Sequence, residues 1–123
     1  MNKIAATQLH NINAYISEDH KPLSGKMLNI LNSVTAAPFQ LDDSGYYIYK
    51  TLAAKAAKLG CEIVKIKPFE TDNALTAVVA TLTMLEINGS MPAHYKDDID
   101  GLYHCFSENN IEQAEQWIKN HVV

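Results

Sequence analysis

Little in this 123-residue chain could cross-link it, divide it or hold it in a bilayer. Its two cysteines, Cys61 and Cys105, form neither a CxxC pair nor a Cys/His pattern with metal-ligand spacing. A disulfide framework and a zinc site therefore lack a basis, and the expectation is two buried free thiols in a reducing compartment, the cytoplasm. Four prolines and five glycines are too few for a flexible linker, and there is no fixed-period repeat and no low-complexity tract. One domain over residues 1–123 is expected, with no room for a second core. No apolar run reaches the ~18 residues of a membrane span, and Met1-Asn2-Lys3 leads into no signal-peptide core, so no membrane partner is expected. Positive charge is sparse too. Ten Lys and Arg stand against fourteen Asp and Glu, a net charge of -4, and no basic stripe is present to neutralise a phosphate backbone. Nucleic acid is excluded as the main partner on that ground.

What is present is helical periodicity in a chain that is 47% hydrophobic. Ala5, Leu9, Ile12 and Ile16 recur at spacings of three and four, which predicts a first helix. A second is predicted from the N-cap Ser24 through Met27, Leu28, Leu31 and Val34 to a stop at Pro38. Residues 39–47 hold an Asp-Asp-Ser-Gly turn between apolar and aromatic residues, and the expectation there is a small β-hairpin flap. A third helix is expected over Ile48, Leu52, Ala56, Leu59, Ile63 and Ile66, tolerating Gly60 and stopping at Lys67 because Pro68 follows. Residues 74–88 differ in kind, since apolar side chains surround the helix and Glu86 is its one charge, which marks a buried central helix. Asn88-Gly89 and Pro92 mark its end. Ile99, Leu102, Tyr103 and Phe106 predict a fifth helix, and Ile111, Ala114, Trp117 and Ile118 a sixth. The fold class expected is all-α, a six-helix bundle with one flap.

The segment Lys67-Pro68-Phe69-Glu70-Thr71-Asp72-Asn73 is the most informative for chemistry. It leads into the buried helix, and a helix start offers free backbone N–H groups and a positive dipole end that favour an anion. The plain alternative is a capped helix start and nothing more. His10, His20, His94, His104 and His121 form no His-x-x-x-His pair and read as surface or structural residues. Asp97, Asp98 and Asp100 read as charge at a helix start. Leu41, Tyr46 and Tyr47 in the flap, with Tyr49 beside it, are candidates for a partner surface or for packing.

With those residues in view, the chain resembles the Doc (death-on-curing) branch of the Fic/Doc (Fido) family. The family signature His-Pro-Phe-x-Asp-Gly-Asn-x-Arg opens a buried helix that closes on Asn-Gly. This chain has Lys67-Pro68-Phe69-Glu70-Thr71-Asp72-Asn73-Ala74-Leu75, then Asn88-Gly89 at the matching distance. Residues 30–38, ending in Pro38, and Tyr49-Lys50-Thr51-Leu52-Ala53-Ala54-Lys55-Ala56-Ala57 are similar to the corresponding Doc segments. The likeness covers roughly residues 25–90 and implies a Fido-type bundle. It also implies transfer of AMP or phosphate from a nucleotide to a protein hydroxyl, through a His base, an acidic Mg²⁺ ligand and a phosphate-clamping Arg.

This chain departs from that set at most positions. Lys67 stands for the base, Thr71 for the acid, Asp72 for the Gly and Leu75 for the Arg; only Asn73 remains. A lysine, with a free pKa of ~10.4, is protonated at neutral pH and is a poor base. Threonine is a weak ligand for a hard cation, and leucine removes a bidentate phosphate donor. The reading is a degenerate Doc-like protein, a pseudoenzyme in or derived from a toxin–antitoxin system, with no catalytic residue, no metal and no cofactor. It would act by binding a protein, either an antitoxin-like helix or a Fido relative. The alternative is a working transferase with altered chemistry, using ATP and Mg²⁺, in which Lys67 contacts phosphate, Asp72 holds the metal and Asn73 orients the site.

Overall fold

The computed structural model describes residues 1–90 and 98–122, and six α-helices fill most of that length. They are α1 (Ala6–Ser17), α2 (Gly25–Ala36), α3 (Leu52–Ile66), α4 (Asn73–Ile87), α5 (Ile99–Ser107) and α6 (Ile111–His121), with a 3-10 turn at Ala37–Phe39. Side-chain caps set several of the starts. Ser24 Oγ accepts from Met27 N–H at 3.1 Å, Thr51 Oγ1 from Ala54 N–H at 3.1 Å and Asn110 Oδ1 from Gln113 N–H at 3.0 Å. The Thr51 cap moves the start of α3 past the expected position. Ile48 lies outside the helix and is 47% exposed.

Helix α4 packs against α1, α3 and α5. The all-round apolar pattern of its sequence is explained by these contacts, which bury Ala77, Val78, Ala80, Met84 and Leu85. One core cluster draws Leu9 from α1, Leu31 and Val34 from α2, Leu59 and Ile63 from α3, Phe106 from α5 and Ile118 from α6. Gly60 is a requirement rather than a tolerance, since a Cβ there would stand 2.2 Å from the Phe106 ring. That ring lies directly on the α3 backbone. Tyr103 departs from the expected apolar face and is 45% exposed, because one residue turns a helix by about 100° away from the buried Leu102.

The expected hairpin flap is not formed. Residues 39–47 carry one antiparallel bridge, Leu41 to Tyr47, and no strand. The reversal is held by two backbone bonds, Asp42 N–H to Tyr46 O at 2.7 Å and Ile48 N–H to Gln40 O at 3.0 Å, and three local features bound it. Pro38 and its neighbours coil into the 3-10 turn, Asp42 Oδ1 takes the N–H groups of Ser44 (2.9 Å) and Tyr46 (3.0 Å), and the chain then turns into the Thr51 cap. A closed loop results, with Gly45 at φ +85°. The expectations for Pro92, His94 and Asp97 fall outside the described residues. Asp98 is placed and carries no cap bond at the start of α5; its carboxylate accepts from Trp117 Nε1 at 3.1 Å and pairs with His121 at 3.3 Å. No described helix is long and apolar enough to cross a membrane.

Candidate functional site

The loop from Lys67 to Asp72 joins α3 to α4, and it is tied by its own side chains. Lys67 closes α3 in the left-handed region (φ 51°), its N–H donating to Ile63 O at 2.9 Å, and its side chain is exposed. Phe69 then turns into the core. Asn73 closes the loop from the first turn of α4: Nδ2 donates to Phe69 O at 2.9 Å, while Oδ1 accepts from Phe69 N–H at 3.1 Å. Both ends of that amide are therefore engaged by one residue of the loop. Asp72 occupies the N-cap position with φ 63°, a left-handed conformation that glycine adopts at least cost. Its carboxylate makes no cap bond and instead accepts from Thr71 Oγ1 at 3.0 Å.

Helix α1 holds the loop from the side. Asn13 Nδ2 donates to Thr71 O and to Thr76 Oγ1, each at 3.1 Å. Beside it opens a cavity of about 200 Å³ between α1, the start of α2 and Phe69–Thr71, lined in part by His10, Asn13, Lys21, Met27 and Phe69. At its mouth Lys21 pairs with Glu70 at 2.9 Å and with Asp19 at 3.5 Å. The hydrogen bond to Glu70, and then the Asp19 charge, hold the Lys21 ammonium above its ordinary 10.5. Of the residues singled out from the sequence, Lys67, Asp72 and Asn73 share the loop, but none lines the cavity. His10, Asn13 and Lys21 come to the loop from α1 and the α1–α2 connection, and no spacing in the sequence announces them.

The candidates Leu41, Tyr46 and Tyr47 sit elsewhere. Their loop packs on the first turn of α3, whereas Lys67 follows the last turn; the helical rise from Lys55 to Lys67 is about 18 Å. Lys55 anchors that loop and is only 2% exposed. Its Nζ donates to Tyr49 O and lies 4.1 Å from the Tyr47 ring and 5.9 Å from the Phe39 ring. Burial pushes its ammonium below the usual 10.5. Leu41 (54% exposed), Tyr46 (68%) and Tyr47 (46%) thus form an anchored but solvent-facing apolar surface. The sequence pointed to the tyrosines; the lysine beneath them was missed, since a lysine at a helical apolar position reads as a solvated charge.

Both cysteines are free and buried. Burial pushes the Cys61 thiol up to about 11 and raises that of Cys105 too, which makes both poor nucleophiles. Among the described residues, no three His, Cys, Asp or Glu side chains converge where a metal could sit. No family model, no curated protein and no solved structure matches the chain.

Proposed function

We propose that this chain is a degenerate Doc-like Fido protein, belonging to or derived from a toxin–antitoxin system, that acts by binding a protein and does not transfer a nucleotide group. The observation that carries this reading is the closure of Asn73 on Phe69. The one polar residue kept from the family signature has its side-chain oxygen and one of its two amide N–H groups committed to Phe69, which fixes the amide as a loop clasp and leaves at most one N–H for a phosphate. Around it, Leu75 is 41% exposed where the family places an arginine, and the Asp72 carboxylate adds negative charge at the helix start. The exposed Leu41, Tyr46 and Tyr47 supply apolar area suited to a protein partner. An antitoxin-like helix or a Fido relative is the class of partner proposed.

Calorimetric titration with ATP and Mg²⁺ tests the first half. The natural chain is expected to give no binding heat, while a Lys67→His, Thr71→Asp, Asp72→Gly, Leu75→Arg variant is expected to bind. Mg²⁺-dependent binding by the natural chain, abolished by Asp72→Ala, would overturn the reading in favour of an altered transferase. The second half is tested by co-expression with the product of an adjacent reading frame and size-exclusion chromatography. A complex that Tyr46→Ala weakens is the expected result.

A further inference from the structure

Asn88 is followed by Gly89, the one Asn-Gly pair in the chain. A glycine after asparagine leaves the backbone nitrogen unhindered. That nitrogen can attack the side-chain carbonyl carbon of the asparagine and close a cyclic imide. The pair stands just past the end of α4, Gly89 is exposed, and among the described residues nothing lies within 4 Å of where a Cβ on it would be.

The folded chain engages both reacting groups in other bonds. Asn88 Nδ2 donates to Asn2 O at 2.9 Å and to Met84 O at 2.8 Å, while Asn88 Oδ1 accepts from Asn2 N–H at 2.7 Å. Asn2 Nδ2 adds a bond to Ile87 O at 2.8 Å. Gly89 N–H, the attacking group, donates to Glu86 O at 3.0 Å. The clasp joins the segment before α1 to the end of α4 across 86 positions of sequence.

We infer that Asn88 is a latent deamidation site gated by Asn2, and that its reaction loosens the hold of the α4 end on residues 1–3, while Ile4 stays packed in the core. In the reaction the Gly89 nitrogen loses its proton and bonds to Cγ of Asn88. The Cγ–Nδ2 bond breaks and the amide nitrogen leaves as ammonia, taking up a proton. Water then opens the imide at either carbonyl, leaving aspartate or isoaspartate. The product places a carboxylate oxygen where Nδ2 had donated, facing the carbonyls of Asn2 and Met84. Acceptor then meets acceptor at those two carbonyls, and the clasp keeps only the bonds donated by Asn2 N–H and Asn2 Nδ2. Water cannot reverse the step, so the loosening runs in one direction.

The test is peptide mass spectrometry of the purified chain during incubation in mildly alkaline buffer, following the exchange of NH₂ for OH at Asn88. Asn2→Pro removes both the backbone donor to Asn88 and the side-chain donor to Ile87 at an exposed position. The folded natural chain is expected to react slowly, the same chain in urea fast, and Asn2→Pro roughly tenfold faster than the folded natural chain. The Asn88→Asp variant is expected to raise hydrogen exchange over residues 2–5. Equal rates for Asn2→Pro and the natural chain would overturn the gating, and unchanged exchange in Asn88→Asp would overturn the loosening.

Discussion

Loop 67–72 and segment 40–51 leave opposite ends of α3, and they are closed by different means. In the first, side chains of the loop and of α1 bond to backbone: Asn73 to Phe69, and Asn13 to Thr71. In the second, Asp42 also bonds to backbone, but the anchor is one buried lysine that holds a carbonyl and two rings, while Leu41 and Tyr46 stay in water. A loop whose polar groups are engaged internally has little left for a ligand, whereas one pinned from below keeps its outer face free. The difference is that the segment resembling a catalytic motif is clasped by Asn73 and Asn13, while the segment named for its partner-surface candidates leaves Leu41 and Tyr46 exposed.

The largest effect should come from the helix between them. Gly60→Ala forces a methyl group into the Phe106 ring and is expected to destabilise the chain by about 3 kcal/mol in urea denaturation, loosening both loops together. A cost below that of an ordinary exposed substitution would mean that α5 can shift freely. Asn73→Ala separates the loops. Losing both bonds to Phe69 should cost about 2 kcal/mol and raise hydrogen exchange over residues 67–72 while leaving 40–49 unchanged.

Alkaline titration of stability sharpens the comparison further. Cys61 is held protonated to about 11 when folded but ionises near 9.0 when unfolded, so the folded state binds more protons across that window and stability falls by about 2 kcal/mol. Lys55 acts in the opposite sense. Its folded pKa lies below 10.5, so the unfolded state binds more protons just below that value and stability rises toward it. Lys55→Met should therefore steepen the fall above pH 9.0, and Cys61→Ala should flatten it. A Lys55→Met profile identical to that of the natural chain would show that Lys55 is not desolvated. The smallest effect belongs to Tyr46→Ala, expected within about 0.5 kcal/mol of the natural chain, since the side chain is mostly in water. A larger loss would place Tyr46 in the packing rather than on a binding surface.

Much of the fold was legible because helix periodicity is a local signal. Leu9 and Ile12, Leu31 and Val34, and Leu102 and Phe106 reach the core or its edge as their spacing requires. Ile48 and Tyr103 were misplaced for local reasons as well: the Thr51 cap starts α3 later, and one residue of helix rotation turns Tyr103 outward. The flap was legible only as a reversal: the Asp-Asp-Ser-Gly turn forms, with Asp42 taking the N–H groups of Ser44 and Tyr46, but pairing stops at the single Leu41–Tyr47 bridge and no strand develops. At the candidate site, Lys67, Asp72 and Asn73 were found by their place before a buried helix. Asn13, which braces them, was not found, because its partner Thr71 is 58 positions away.

The sequence by itself determined six helices, an apolar central one, and the absence of charge or cysteine patterns for nucleic-acid, zinc or membrane chemistry. Each of these follows from composition or from the angular period of residues close together in the chain. Only the tertiary structure decided that Asn73 turns back on Phe69, that Lys55 is buried beneath Tyr47, that Phe106 needs Gly60, and that Asn2 clasps Asn88. The last three depend on which helix faces meet and at what distance. A buried polar group is satisfied by whatever partner the packing brings within about 3 Å, and the chain's linear order does not carry that information.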